Sequence, residues 1–414
     1  MTTSPRLLRS GELAAVLPPG GMTLVSSCSA ESDLLAAEVA AAGEALGDMD
    51  FAGIFVPGLN RHGWTAGPVS RVTTFFQAPE LRARGAAVRF LPLCYQDILA
   101  LFRRERPQAA LFMCSPPDDA GQCSFGTEVA FIAALWREIP VRIAHINPAM
   151  PRTPGDPGIP FAKLTACYEG DQALRGMPQA LPDPVSARIA ANVAMLVPDG
   201  ATLQAGLGKI PDAVLGALSG HRNLRLHTGL VGDGALALVR SGAMAPGASA
   251  LVGVAIGSPE LYTGLDDPHF QFRPVTVTHD PATLAAIDGL LTINSAMAVD
   301  LFGQVYSEAS SRGFQSGPGG ASDYARGARV SNGGLRIIAL PAAAGPTSRI
   351  VAPGQGHGPV SLSRFDVDVI VTEHGIADLR DKSHSERAAA LIAITSPDHR
   401  EALERAWHPI AAQI

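Results

Sequence analysis

The sequence predicts an α/β chain of two similar domains, each built on a largely parallel sheet that helices cover. Three observations predict this fold class. The chain has 414 residues, which is more than one ordinary hydrophobic core organises. Residues 15–39 are repeated at residues 194–218, and strand-like and helix-like segments alternate along much of the remaining chain. Such alternation is typical of parallel sheets with helices on both faces.

The repeat aligns without a gap and predicts a turn, a short apolar strand, a small-residue loop and a helix in each copy. Pro19 matches Pro198, and Asp33 matches Asp212 just before the predicted helix. A second predicted strand follows each copy, in GIFVPGL (53–59) and LRLHTGL (224–230). We therefore expect domains at residues 1–185 and 186–414. Their active site is expected in the interdomain cleft, near the carboxyl ends of strands.

Composition excludes several classes of protein. Hydrophobic residues make up 47% of the chain, charged residues 17%, and the net charge is −6 without a basic stripe, so we expect no nucleic-acid partner. The five cysteines lack CxxC spacing and indicate reduced thiols. The N-terminal stretch has no signal-peptide apolar region, and no apolar run reaches the length of a membrane span. We expect a soluble, cytoplasmic protein without membrane contact, and a homodimer, since apolar-rich α/β proteins of this size commonly dimerise.

The segment QAGLGKIPDA combines a strand end, Gly206, Gly208 and a helix start. It is not the GxGxxG pattern of a dinucleotide site. Backbone N–H groups at a helix start nevertheless suit a phosphate or a developing oxyanion, and a tight turn for strand–helix packing is an equal alternative. Arg349 and Arg364 are candidates for binding phosphate or carboxylate, although a solvated arginine is the commoner case.

A second glycine-rich segment, FQSGPGGASDYARGA, contains Gly317, Gly319 and Gly320. These glycines leave the backbone bare just before Asp323, which is expected to cap the following helix. A loop this polar and this small fills a core poorly. The segment is therefore expected to contact a ligand.

Several long motifs, in order along nearly the whole chain, resemble the acetyl-CoA hydrolase/transferase family, which includes 4-hydroxybutyrate CoA-transferases and belongs to the class I CoA-transferases. The motifs are SPPDDAGQCSFG, HINPAMPRT, LQAGLGKIPDAVL, INSAMAVDLFGQVYSE, FQSGPGGASDYARGA, SRIV and VIVTEHGIADLRDKS. The resemblance implies two CoA-transferase-like α/β domains with the active site in their cleft. It also implies coenzyme A as a substrate and no permanently bound cofactor.

CoA-transferring members of this family use a glutamate on a strand tip, whose carboxylate attacks the acyl-CoA thioester. The resemblance therefore implies a glutamate at the matching position of this chain. An acyl–glutamyl anhydride and a glutamyl–CoA thioester follow. The oxyanions formed in these steps need N–H donors, which a Gly319-Gly320 loop can offer. Here the matching stretch is His227-Thr228-Gly229-Leu230. Gly229 stands at the glutamate's position and has no side chain that could attack. The substrate-binding set that the resemblance implies is Gly206, Gly208, His227, Gly229, Gly317, Gly319 and Gly320.

Three other carboxylates are candidates for the missing role. Glu31 in CSAESDLL is the predicted catalytic residue, and Glu128 and Glu308 are the alternatives. Each is also compatible with a capping or solvated acid. His227 and His62 are candidate bases, although a lone histidine is more often a hydrogen-bonded structural residue. No metal-ligand spacing and no GxSxG elbow is present.

The sequence leaves three functions open. The first is CoA transfer between a short-chain acyl-CoA and a carboxylic acid, through a relocated carboxylate. The second is hydrolysis of acyl-CoA, with water in the space that Gly229 leaves. The third is a non-catalytic CoA-binding protein or a regulatory partner of an active paralogue. An enzyme is favoured because the surrounding loops keep the family's motifs, and transfer is favoured only by the resemblance.

Overall fold

The computed structural model describes residues 4–177, 183–206, 208–311 and 313–414. Contacts divide the chain into two compact units, Met1–Pro178 with Ala250–Thr278, and Gln179–Ser249 with His279–Ile414. The predicted boundary between residues 185 and 186 stays a prediction. Each unit is described by itself below.

The strands of the described residues are β1 (Arg6–Leu7), β2 (Gly21–Val25), β3 (Met49–Gly53), β4 (Arg71–Thr74), β5 (Val88–Phe90), β6 (Ala109–Cys114), β7 (Gln122–Cys123), β8 (Val141–Ile146), β9 (Ile159–Pro160), β10 (Ala166–Glu169), β11 (Thr202–Ala205), β12 (Arg225–Val231), β13 (Ala250–Ala255), β14 (Phe270–Phe272), β15 (Leu290–Asn294), β16 (Ala298–Asp300), β17 (Val305–Tyr306), β18 (Ala309–Ser310), β19 (Gly313–Phe314), β20 (Leu335–Ala339), β21 (Ala343–Ala344), β22 (Thr347–Ser348), β23 (Ile350–Val351), β24 (Val369–Thr372) and β25 (Gly375–Asp378).

The α-helices of the described residues are α1 (Asp33–Ala42), α2 (Pro79–Arg82), α3 (Tyr95–Glu105), α4 (Ala130–Leu135), α5 (Pro184–Ala194), α6 (Lys209–Ala217), α7 (Asp233–Arg240), α8 (Pro259–Thr263), α9 (Val275–Thr278), α10 (Pro281–Ala285), α11 (Ala321–Val330), α12 (His384–Ala393) and α13 (Pro397–Ala411). Short 3₁₀ helices lie at Leu13–Ala15, Cys28–Ala30, Gly43–Leu46, Gly85–Ala87 and Phe161–Lys163.

The first unit contains a parallel sheet in the order β1-β10-β8-β6-β2-β3-β4-β5. Its central strand β6, AALFMC, is buried at every position, as expected for a strand covered on both faces. Phe51, Leu111 and Ile143 are fully buried on neighbouring strands and belong to one core. The parallel pair β13-β14 belongs to the same unit.

The second unit contains the strand order β12-β11-β15-β20-β24-β25. Its strands pair in parallel except at the edge, where β24 and β25 are antiparallel. Helices α5, α6 and α7 pack in series, and α10 packs on α11. The predicted α/β class with largely parallel sheets is confirmed.

Both copies of the repeat fold as a strand followed by a helix, β2 and α1 in the first copy and β11 and α6 in the second. The strand predicted at residues 53–59 is wrong, because β3 ends at Gly53. Pro57 has no N–H for a strand ladder, and Gly58 has a φ of +80°, so this stretch turns instead. Only the second copy therefore has a strand that runs through its predicted tip.

None of the described helices is both long enough and apolar enough to cross a membrane.

Candidate active site

Gly229 lies in β12, and its missing side chain leaves no empty space. A Cβ built on Gly229 would be 2.5 Å from Cε1 and 2.8 Å from Nε2 of His279, and 3.6 Å from Oη of Tyr324. Contacts below about 3.0 Å are not made by real Cβ atoms. The imidazole of His279 therefore occupies the volume into which a side chain at position 229 would project.

His279 immediately precedes Asp280, the N-cap residue of α10. Its side chain is 2% exposed, and its ring centroid is 4.7 Å from that of Tyr324. Burial and, to a smaller extent, the neighbouring His227 together lower the pKa of His279 to about 3. The imidazole is therefore neutral at physiological pH.

His279 also touches the glycine-rich loop. A Cβ built on Gly320 would be 2.4 Å from Nε2 of His279. His227 and Gly229 are two residues apart on β12, so they face the same side of the strand. The second unit thus brings the predicted residues His227, Gly229 and Gly320 together around His279, which sequence reasoning missed. The local sequence around His279 is THDP (278–281). This sequence does not reveal that His279 contacts a residue 50 positions earlier.

The glycine-rich loop ends at the start of α11. Gly319 has a φ of +58° in the left-handed region, which favours glycine. Gly320 is the N-cap residue and supplies no side-chain cap, whereas Asp323 lies in the first turn and is 7% exposed. Asp323 was expected to cap this helix, and that expectation is wrong because the helix begins two residues before it. The first amides of α11 lack intrahelical acceptors and suit an oxyanion or phosphate.

Glu308 lies behind the same loop. Its backbone carbonyl accepts hydrogen bonds from the amides of Gln315 (2.8 Å) and Ser316 (3.3 Å). The residue is 3% exposed. Burial raises the pKa of its carboxyl above the usual value, and a hydrogen bond with Ser361 partly offsets this. Among the three candidate acids, Glu308 is the residue whose backbone is hydrogen-bonded to the glycine-rich segment.

The other glycine loop of this unit lies beside a surface cavity of about 480 Å³. Gly208, at a φ of +119°, is the N-cap residue of α6, and Lys209 and Arg349 also line the cavity. Nζ of Lys209 lies 2.6 Å from a carboxylate oxygen of Asp183. A helix start with two cations nearby suits an anionic group. Gly206 follows the last residue of β11, and Leu207 lies outside the described residues.

Glu31, the predicted nucleophile, belongs to the first unit and is fully buried. Its carboxylate accepts hydrogen bonds from the backbone amides of Arg61 (3.0 Å) and His62 (3.2 Å), and from Nε of Arg175 (3.3 Å). Arg175 is also paired with Asp33. These donors occupy both carboxylate oxygens and join three segments of the unit. The catalytic role of Glu31 stays a prediction.

Glu128 is held by Ser27, whose amide donates to Oε2 (2.9 Å) and whose hydroxyl lies 3.0 Å from Oε1. Burial raises the pKa of Glu128 to about 8; the Ser27 bonds lower it and nearby Glu31 raises it. A carboxyl that keeps its proton at neutral pH is a weak nucleophile. In the described part of the chain, no group of three or more His, Cys, Asp or Glu residues is arranged to hold a metal ion.

Comparisons with known proteins support the resemblance. The model of the acetyl-CoA hydrolase/transferase C-terminal domain matches residues 257–407. A 4-hydroxybutyrate coenzyme A transferase of Clostridium kluyveri is 37% identical over 327 residues, which cover 76% of each chain. A succinyl-CoA:acetate/propanoyl-CoA:succinate CoA transferase of Fasciola hepatica is 37% identical over 77% of this chain and 69% of the relative.

Solved structures agree with these relatives. RipA of Yersinia pestis has a TM-score of 0.88 at 27% identity, covering 98% of both chains. A 4-hydroxybutyrate CoA-transferase of Porphyromonas gingivalis has a TM-score of 0.81 at 30% identity, covering 99% of this chain and 98% of that one. The motifs, the fold and the relatives agree, and the chain belongs to the acetyl-CoA hydrolase/transferase family.

Proposed function

We propose that this enzyme transfers CoA from a short-chain acyl-CoA to a carboxylic acid without a nucleophile at position 229. The observation that carries the proposal is the pair of helices in one unit, α6 and α11, whose N-caps are Gly208 and Gly320. Helix starts of this kind stabilise phosphate and developing oxyanions. Relatives that match three quarters of the chain include CoA transferases, which supports the same reaction.

We assign the covalent steps to Glu308, because its backbone carbonyl is hydrogen-bonded to the glycine-rich segment. In this route a carboxylate oxygen of Glu308 attacks the acyl carbon, the C–S bond breaks, and CoA leaves as the thiolate. The thiolate then attacks the glutamyl carbonyl of the anhydride, which releases the first acid and leaves a glutamyl–CoA thioester. The acceptor carboxylate attacks the glutamyl carbonyl of this thioester, the C–S bond breaks, and a second acyl–glutamyl anhydride and the CoA thiolate result. The thiolate then attacks the acyl carbonyl of this anhydride, which forms the new acyl-CoA and releases the Glu308 carboxylate.

The predicted alternative, Glu31, is less suited to these steps. An attacking carboxylate must lose its hydrogen-bond donors or move, and Glu31 has donors on both oxygens and is fully buried. Removing such donors from a buried carboxylate costs several kcal/mol, roughly 3–5 for a buried ion pair. We propose instead that Glu31 organises the loop that contains Arg61 and His62.

Hydrolysis is the second candidate, and one observation favours it. A neutral imidazole, that of His279, lies where the resemblance places the attacking group. A neutral imidazole accepts a proton from water, although a pKa of about 3 makes it a weak base. In this route water takes the place of the acceptor acid, and CoA and the free acid are the products.

The test compares acetyl-, propionyl- and butyryl-CoA with and without added acetate or succinate. Transfer predicts a new acyl-CoA by chromatography that depends on the acceptor, and a borohydride-reduced adduct on Glu308 by peptide mapping. Thiol release without an acceptor would instead establish hydrolysis. CoA binding without either product would reject both transfer and hydrolysis, and would favour a non-catalytic CoA-binding protein. Glu308→Gln should abolish the adduct, and Glu80→Gln, at an exposed position of α2, is the matched control.

We also propose coenzyme A as a substrate with no resident cofactor, a cytoplasmic location and a homodimer. The dimer rests on the apolar-rich composition of the chain, which is 47% hydrophobic. Light scattering of the purified protein after size exclusion measures the oligomeric state. A monomer at micromolar concentration would reject the dimer.

A further inference from the structure

Gly229 and Gly320 are far apart in the sequence but meet the same imidazole. A Cβ on Gly229 would contact Cε1 of His279 at 2.5 Å, and a Cβ on Gly320 would contact Nε2 at 2.4 Å. Both atoms belong to the outer edge of the ring. The imidazole edge is therefore held between the strand β12 and the N-cap of α11.

Backbone conformation does not explain either glycine. Gly229 lies in a regular strand and is not among the glycines with positive φ. Gly320 has φ −83° and ψ −8°, which any residue adopts. Alanine could take both conformations without backbone strain. What remains is the space that the ring of His279 needs, so these two glycines and the histidine form a sterically matched set.

We propose that His279 is a positioning residue of the acyl-CoA site, where its ring fills the volume of the absent side chain at position 229 and sets the distance between β12 and Gly320. This proposal rests on the proposed function, because it assigns the set to the site where acyl-CoA is handled. The loop 317–320 ends at this ring, so the ring fixes where the first amides of α11 stand relative to the strand tip. It also excludes any side chain, a carboxylate included, from position 229.

The contact with Tyr324 supports this role. Tyr324 is in the first turn of α11 and 2% exposed, and its ring lies 4.7 Å from that of His279 at an interplanar angle of 57°. The imidazole therefore contacts α11 at two places, the N-cap Gly320 and the Tyr324 ring. Two contacts on one helix start fix its position more firmly than one does.

A double-mutant cycle tests the steric match and does not depend on activity. Gly229→Ala should lower Tm by roughly 5 °C or more through overpacking, and the same change in a His279→Ala background should have no such effect. Gly216→Ala, on α6 with open space around it, is the control and should not lower Tm in either background. An equal loss of Tm from Gly229→Ala in both backgrounds would show that His279 and Gly229 are not sterically matched.

Steady-state kinetics with acetyl-CoA test the positioning role. His279→Ala should raise KM for acetyl-CoA about tenfold with a smaller change in kcat, since the loop amides lose their support. His279→Gln keeps a neutral side chain of similar volume and should stay within about threefold of the original KM and kcat. If His279→Gln loses turnover as fully as His279→Ala does, or if neither changes KM, the positioning role is wrong. Absence of turnover in the unmodified protein would reject the proposed function instead, and the Tm cycle would still decide the match.

Discussion

At the scale of single residues, the carboxylate of Glu31 accepts hydrogen bonds that hold several loop segments together. Three donors converge on it, the amides of Arg61 and His62 and the Arg175 side chain. Its backbone carbonyl also accepts from Gln172. Each donor comes from a segment that has no regular secondary structure at that point. Without Glu31 these segments would lose their common acceptor.

Glu31→Ala is therefore expected to destabilise the protein by about 1–3 kcal/mol, because it leaves two amides and the half-buried Arg175 without this acceptor, although Arg175 keeps its pairing with Asp33. Chemical denaturation measures the loss. Glu31→Gln should lose less, since one oxygen remains to accept, and should retain most of the acyl-CoA turnover. A Glu31→Gln variant with native stability and no turnover would contradict the structural role and restore Glu31 as the candidate nucleophile.

A second prediction concerns the stability and activity of Gly229→Glu, which places a glutamate at the strand tip. Gly229→Glu alone should not raise transferase activity and should lower stability, because the new Cβ would overlap His279, and overpacking of this kind costs roughly 1–3 kcal/mol or more. Gly229→Glu with His279→Ala removes the overlap and should recover most of the lost stability. Thermal unfolding compares the two variants. If the single variant unfolds at the original Tm, the imidazole does not occupy this position in solution.

The sequence identified Gly229 as a departure from the family pattern, but it could not identify what replaced the side chain. The answer lies 50 residues away in His279, and only the folding of β12 beside α10 and α11 brings the two together. Glu31 shows the opposite difficulty. Its motif suggested a reactive acid, whereas its reactivity depends on Arg61, His62 and Arg175, whose proximity no local pattern reveals.

At the scale of elements, the strand–loop–helix units were predictable because their apolar spacing and glycines are local signals. Both repeat copies confirm this, with β2-α1 and β11-α6. Strand ends were less predictable. The stretch after β3 is apolar enough for a strand, yet Pro57 and Gly58 turn it.

The packing of α10 on α11 gives the third prediction. A Cβ on Gly327 of α11 would be 2.4 Å from Cβ of Leu284 on α10, so the two helices approach closely at this glycine. Gly327→Ala should separate them and destabilise the protein by about 1–3 kcal/mol, despite alanine's better helix propensity. Denaturant unfolding measures this, with Gly216→Ala on α6 as the control, where the propensity term acts alone. Stabilisation by both substitutions would show that the helices are not in close contact.

At the scale of the whole molecule, buried titratable groups in both units make stability depend on pH. Glu128 keeps its proton to about pH 8, whereas in the unfolded chain it loses the proton near 4.5. Between these values the folded state binds more protons than the unfolded state. Stability therefore falls as pH rises through this window, by up to about 1.4 kcal/mol per pH unit from this group.

Glu128→Gln is expected to remove this part of the dependence. The amide oxygen can accept from the Ser27 amide as Oε2 does, and the amide nitrogen can donate to the Ser27 hydroxyl. The variant should match the original protein near pH 5 and be more stable at pH 8. Denaturation midpoints across pH 5–8 measure this, with exposed Glu80→Gln as the control. Parallel curves for the original protein and Glu128→Gln would show that Glu128 titrates normally.

His279 acts in the opposite sense, at acid pH. Its folded pKa of about 3 is lowered from 6.5, so between these values the unfolded chain binds the extra proton and stability falls as pH falls. His279→Gln, which cannot titrate, should flatten the stability curve between pH 6.5 and 4, and should leave it unchanged above pH 7. His145, whose pKa is also lowered by burial, should keep part of the acid slope in the variant. An acid slope as steep in His279→Gln as in the original protein would mean that the imidazole is exposed to water, and the close packing of the ring against Gly229 and Gly320 would then be wrong.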